Sequence, residues 1–225
     1  MLEYTGGSQL SKKTRSLSTK GIILGSRILR EADKAVFIYT RDHGKIRAIA
    51  KGALKLSSKF TGAIETLNFC DFSLYQGPKN MIITEIKQEK SFGVLRENLE
   101  KATCAILIAK ISNELIAEDV NTSEIFDLIE ETLKEIVRSN KTLIITTGFV
   151  IKLLDILGLL PDMGDIKNFH MKLPVKYQKL ITFLQKNSFE KIKHLAVKKD
   201  EAMTIKSILK DIIEHETDKS FNLPL

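Results

Sequence analysis

Eight basic side chains, Arg27, Arg30, Arg41, Lys45, Arg47, Lys51, Lys55 and Lys59, fall close together in the chain. They are interleaved with Phe37, Tyr39 and Phe60, and Phe72 and Tyr75 follow. Guanidinium and ammonium groups neutralise phosphates and aromatic faces stack on bases, so this is the residue chemistry of a nucleic-acid groove. Taken singly, each charge reads as a solvated surface residue and each ring as core. The reading rests on the group, because the charge surplus is confined to it. Residues 1–90 hold 16 Lys/Arg against 8 Asp/Glu, whereas residues 91–225 hold 19 against 20. An asymmetry of that kind points to a polyanionic partner for the first half and a neutral partner, or none, for the second.

Enzyme motifs do not occur: there is no GxGxxG, P-loop, GxSxG or HExxH. Gly52–Ser57 carries the glycine and lysine of a phosphate loop at the wrong spacing. His43, His170, His194 and His215 are scattered without ligand spacing, and in Glu214-His215-Glu216 the acids beside the histidine are helix neighbours that point in different directions. Cys70 and Cys104, both in apolar stretches, form neither a disulfide framework nor a zinc site by themselves, which suits buried thiols in a reducing, cytoplasmic compartment. The chain therefore reads as a binding protein and not an enzyme, with no cofactor and no catalytic or metal-binding residue.

The elements that must position the basic set follow from period and punctuation. Residues 1–19 have no apolar period and no signal-peptide h-region, and read as a disordered basic tail; Lys12, Lys13, Arg15 and, at its end, Lys20 are expected to add non-specific phosphate contacts. From 20 to 90 the pattern is that of strands: Gly21–Leu29, Ala35–Thr40, Lys45–Lys51, Ile64–Tyr75 and Met81–Ile86. Asp42-His43-Gly44 and Gly77-Pro78-Lys79-Asn80 are turns. In Lys45–Lys51 the period of two places Ile46, Ala48 and Ala50 on one face and Lys45, Arg47 and Lys51 on the other. Five short hairpin-linked strands predict an antiparallel OB-type barrel.

Residues 91–225 take a helical period and predict an α-helical domain, making the whole an α+β chain. Helices are expected over 94–116 (a wide apolar face of Leu95, Leu99, Ala102 and Ile106 with Cys104, Ile108, Ile111 and Leu115 beside it), 123–137 with Ser123 as a partial cap, and 142–160. Three more are expected near 175–186, 189–196 and 201–216. The 142–160 stretch is apolar all round, but Lys152 and Asp155 interrupt it, so it belongs in a bundle and not in a membrane.

In order and spacing, Gly21–Leu24, Arg30–Lys34, Tyr39–Lys45, Ala50–Ala53 and Ser58–Gly62 resemble the RecO family of DNA repair proteins. Leu153–Pro161 resembles that family's leucine-rich helix ending in glycine and proline, and Lys219-Ser220-Phe221 its closing segment. The order is specific where no single motif is, and the likeness covers residues 20–161 well and the last 60 weakly. The resemblance implies an N-terminal OB domain and a helical C-terminal domain. It further implies binding of single- and double-stranded DNA, strand annealing, and partnership with RecR to help RecA replace single-strand-binding protein. The tail of that binding protein docks on the helical domain in some members. Many members carry a four-cysteine zinc module after the glycine-proline helix end; here Asp162–Pro174 has no cysteine, so no zinc site carries over. The expected mechanism is electrostatic: strands neutralised on a basic barrel repel less and can pair. An adaptor that meets an acidic protein, and an RNA-binding barrel, are the competing readings of the same charge.

Overall fold

The computed structural model describes residues 15–92, 95, 98–118, 120–163 and 173–218. The first part is a five-stranded barrel: β1 (Ser16–Ile28), β2 (Lys34–Thr40), β3 (Gly44–Ala50), β4 (Phe69–Gln76) and β5 (Met81–Lys90). The strands pair in the order β1-β2-β3-β5-β4, and β4 returns to β1, as in the OB type. β1 makes this closure possible. One end, Gly21–Ile28, pairs with β2, and the other, Ser16–Ile22, pairs with β4, with a register shift between Ile23 and Gly25 where the strand bends. Gly21 sits at the crossing of both pairings, where an added Cβ would come within 2.5 Å of Ile38 Cγ2 and 3.0 Å of Phe72 Cε2.

Several expectations are corrected here. The barrel is not wholly antiparallel: β3 and β5 meet in parallel over Ala48↔Met81 and Ile49↔Ile82. Hairpin logic links only neighbours in sequence and cannot see that seam. Ser16–Thr19, read as tail, are strand residues opposite Tyr75–Phe72, and Thr19 is buried. Their alternation is too short to register as a period. Residues 1–14, with Lys12 and Lys13, lie outside the described residues. The fourth strand begins at Phe69, because Ile64 and Leu67 belong to a chain of turns over 51–67. That connector sends Phe60 and Ile64 into the barrel interior beside Val36, Ile38, Phe72, Leu74 and Ile83.

The helices are α1 (Leu99–Leu115), α2 (Ser123–Arg138), α3 (Thr142–Ile156), α4 (Val175–Lys186), α5 (Phe189–Ile192) and α6 (Lys199–Thr217). In α2 the apolar stripe Ile125, Ile129, Leu133 and Ile136 is buried as read, but the cap is Thr122, whose extended backbone lets its side chain accept from Glu124 N at 3.3 Å. In α1, Leu99 and Ile106 are exposed, and Cys104, Leu107, Ile108 and Ile111 are buried. A helix apolar nearly all round gives period alone no way to choose its inner face. α3 touches all five other helices. It stops at Ile156 because Gly158 (φ +70°) closes a Schellman turn, with Leu159 N donating to Leu154 O and Gly158 N to Asp155 O. Lys152 escapes burial of a bare charge by donating to Gln185 O at the end of α4, at 2.8 Å. Among the described residues no helix is long and apolar enough to cross a membrane.

The barrel and the helices share one core. Ile22, Leu24, Tyr39, Leu67 and Phe69, from the outer face of the barrel, pack with the helical residues. The hairpin between β2 and β3 then locks the two parts together. Tyr39 Oη donates to Thr122 O at 2.8 Å, Asn121 Nδ2 donates to Asp42 O at 2.9 Å, and Arg41 meets Asp127 at 3.0 Å. Gly44 (φ +64°) lies so close to α2's approach that a Cβ would sit 2.4 Å from Val120 O. Helix burial thus claims the β1/β2 side of the barrel and the Lys45 end of β3, and leaves the outer face of β3 from Arg47 onward and the two adjoining turns to solvent.

Candidate nucleic-acid interface

The alternation of β3 decides what that free face carries. Ile46, Ala48 and Ala50 line the barrel interior, so Arg47, Ile49 and Lys51 point outward. The β1–β2 turn (Leu29–Asp33) and the β4–β5 turn (Gly77–Asn80) rise on either side, and together they bound a groove of about 580 Å³. Its rim holds Arg30, Arg47, Lys51 and Lys79; its apolar lining is Leu29, Ile49, Pro78 and Ile82. The one acid in the lining, Asp33, is committed to backbone. Its Oδ1 accepts from Gly52 N at 2.8 Å, and Leu54 N donates to Ala32 O at 3.0 Å, which ties the turn to the 51–67 connector. Among the described residues none of the four rim cations has an ion pair or a side-chain hydrogen bond. Strands 2 and 3 with these two turns are where OB barrels take oligonucleotides.

A second basic cluster has a different character. Lys20, Arg41, Lys59 and Lys87 surround a cleft of about 890 Å³ on the β1/β4/β5 side, together with Asp42, Asp71 and Glu85. Lys20 lies 2.9 Å from Glu89 and 3.9 Å from Asp71. The hydrogen bond that Lys20 donates to Glu89 raises Lys20's affinity for its proton, and the same bond holds the Glu89 carboxyl below its usual range. Arg41 is paired with Asp127 and lies over the Phe126 ring at 5.4 Å, while Lys59 donates to Thr84 O at 2.6 Å. Three of the four, Lys20, Arg41 and Lys59, are answered inside the molecule; Lys87 has no such partner among the described residues.

The eight predicted residues therefore part company. Arg30, Arg47 and Lys51 converge on the groove. Arg27 lies on the outer sheet face next to it, its guanidinium 5.5 Å from the Phe37 ring, and Phe37 in turn faces Arg47 across the β2–β3 pairing. Lys55 is exposed on the connector that Leu54 ties to the β1–β2 turn. Arg41 and Lys59 belong to the cleft. Lys45 is half-buried and donates to Asn113 O, and to Ile116 O at 3.0 Å, so it closes the C-terminal end of α1. Lys79 was missed. Its signal was present in the sequence: the turn Gly77–Asn80 joins the last two strands, and OB strand order puts that turn beside the third.

The rings and the remaining ionisable groups do not add to the site. Phe60 and Phe72 fill the barrel, and Tyr39 and Phe69 are in the shared core. His43 and His194 are exposed, and His215 meets its neighbour Glu216 at 3.1 Å, closer than adjacent helix positions led one to expect; His170 lies outside the described residues. Cys70 and Cys104 are buried and unbridged, and burial pushes the Cys70 thiol up to about 12. Among the described residues no group of His, Cys, Asp or Glu is placed to hold a metal ion.

Comparison with known families decides the lineage. The family described as "Recombination protein O N terminal" matches residues 15–92, and "Recombination protein O C terminal" matches residues 96–165. The chain belongs to the RecO family. A relative from Desulforamulus reducens, named DNA repair protein RecO, is 34% identical over 144 residues, covering 64% of this chain and 56% of the relative. One of the same name from Caldanaerobacter subterraneus is 27% identical, covering 67% and 62%. A third, from Alkaliphilus metalliredigens, is 24% identical over 236 residues, covering 92% of this chain and 96% of its own length. In the first two, the match spans less than two thirds of the relative. The RecO matches run through both strands and turns of the groove and end at 165, near the close of the α3 turn.

Proposed function

We propose that this chain works in DNA repair as a recombination mediator that binds single- and double-stranded DNA through the β3 groove. The observation that carries the reading is the set of four rim cations, Arg30, Arg47, Lys51 and Lys79, which have no ion pair or side-chain hydrogen bond among the described residues, around an OB-type binding face. Membership of a family whose relatives bear the name DNA repair protein RecO supports DNA as the polyanion. In this reading two strands neutralised by such grooves approach and anneal. The chain partners with RecR, and with it helps RecA onto DNA coated by single-strand-binding protein, whose tail meets the helical part. The work is binding, with no bond made or broken, so labelled DNA incubated with the protein and Mg²⁺ should stay intact. Its place is the cytoplasm, at the nucleoid.

Four phosphate contacts predict a salt slope near −2.8 for a single strand, so affinity should fall about 50-fold between roughly 50 and 200 mM salt. Fluorescence anisotropy with a labelled oligonucleotide measures this. Arg47→Ala and Lys79→Ala should each weaken all sequences alike and reduce the slope by about 0.7. A slope near zero, or a loss confined to one sequence, would overturn the proposal.

A further inference from the structure

We infer that a strand held in this groove is gripped by its sugar-phosphate backbone and keeps its base faces off the protein. The inference rests on the DNA-groove reading and concerns how that site holds its ligand. Non-sequence-specific OB grooves ordinarily gain about 5- to 150-fold in affinity per base by stacking on aromatic rings. Here the rings of the barrel segment are committed elsewhere. Phe60 and Phe72 are inside the barrel. Tyr39 is buried with its hydroxyl on Thr122 O, and Phe69 is buried between Phe92 at 5.4 Å and Phe126 at 5.8 Å. Phe37 is half-buried against the helical core, with the Arg27 guanidinium over its ring.

Phe37 stands opposite the rim residue Arg47 beneath the Arg27 guanidinium, and on the other side of the groove the flanking ring is Tyr75. It is half-buried on the outer face of β4, opposite Ile82, one strand beyond the lining. The lining itself, Leu29, Ile49, Pro78 and Ile82, offers aliphatic surface and no π-face. What the groove does offer is a ring of cations, and cations read phosphates. A backbone grip of this kind accepts a single strand and a duplex alike, and it leaves a bound strand's pairing edges open to a complementary strand.

Permanganate footprinting tests this directly, because the reagent oxidises thymines whose faces are exposed. The full chain is bound to a thymine-containing single strand at about 50 mM salt, with binding followed in parallel by anisotropy. Thymines in the bound strand should react within about twofold of the free strand, and Tyr75→Leu should change affinity by less than about twofold. Protection of bound thymines by about fivefold or more, or a loss of that size in Tyr75→Leu, overturns the inference while leaving the groove in place. Absence of any binding in the anisotropy arm overturns the groove reading, and the inference falls with it.

Discussion

The barrel carries two basic regions that composition alone would treat as one. Around the β1/β4/β5 cleft, Lys20, Arg41 and Lys59 are each met by an oxygen of the same molecule: Glu89 and Asp71, Asp127, and the Thr84 carbonyl. Around the β3 groove, Arg30, Arg47, Lys51 and Lys79 are met by none among the described residues. The net surplus of the first half is thus a sum over charges of two kinds. A cation already paired must break its pair before it can take up a phosphate, so only unpaired ones contribute fully to a salt slope. Partner geometry, not the count of Lys and Arg, separates a binding face from a solvated one.

The sharpest way to break this comparison is to empty the groove. Replacing Arg30, Arg47, Lys51 and Lys79 together with alanine should cost on the order of 100-fold in DNA affinity and flatten the salt slope. Replacing Lys20 and Lys59 instead should change anisotropy titrations little, and equal losses from the two sets would erase the distinction. Lys45 tests the same idea from the other side, as a basic residue predicted to bind DNA but holding the end of α1. Lys45→Met should lower stability by about 1–2 kcal/mol, a fall of about 3–6 °C in Tm, with DNA affinity unchanged within error. Calorimetry and anisotropy on one preparation separate the two effects.

A smaller gain should come from freeing the cleft. Glu89→Gln with Asp71→Asn removes the acids facing Lys20 and should improve DNA binding about threefold, steepening the salt slope by about 0.7. The smallest effect is that of pH. Glu89 has its carboxyl held below the usual range by the hydrogen bond with Lys20, so its charged form persists down through the ordinary carboxylate range and is lost only as pH falls through the depressed value. Affinity should therefore stay within about twofold from pH 8 to about 5. A marked rise in binding between those limits would mean that the clamp on Lys20 opens earlier than its geometry allows.

The sequence reveals the parts of this molecule that depend on local period. β2 and β3 were readable from their β-branched residues and alternation, and the inward Ile46, Ala48 and Ala50 are where alternation puts them. So was the buried stripe of α2. The α3 stop was visible as Gly158 and Pro161, though the helix ends short of them. What was not legible depends on distant pairing. The fate of Lys45 is decided by carbonyls of Asn113 and Ile116, some seventy positions away, and that of Arg41 by Asp127. The parallel β3–β5 seam belongs to no hairpin, so the strand order of an OB barrel, and not local period, is what links Lys79 to Arg47. The aromatic residues showed the same limit: their spacing suited base stacking, and the three-dimensional core took most of them.

The β3–β5 seam joins the barrel by two residue pairs, and Ile49 and Ile82, one of those pairs, also form part of the groove lining. The thinnest weld of the barrel thus lies directly under the surface assigned to DNA. A phosphate backbone lying across it, touching Arg47 and Lys51 on one lip and Lys79 on the other, would act as a suture. By mass action, ligand that binds only the closed form raises the cost of parting the seam. The amides of Ile49 and Ile82 should then be among the barrel's faster exchangers in the free protein, and DNA should slow them more than it slows the hairpin locked against α2.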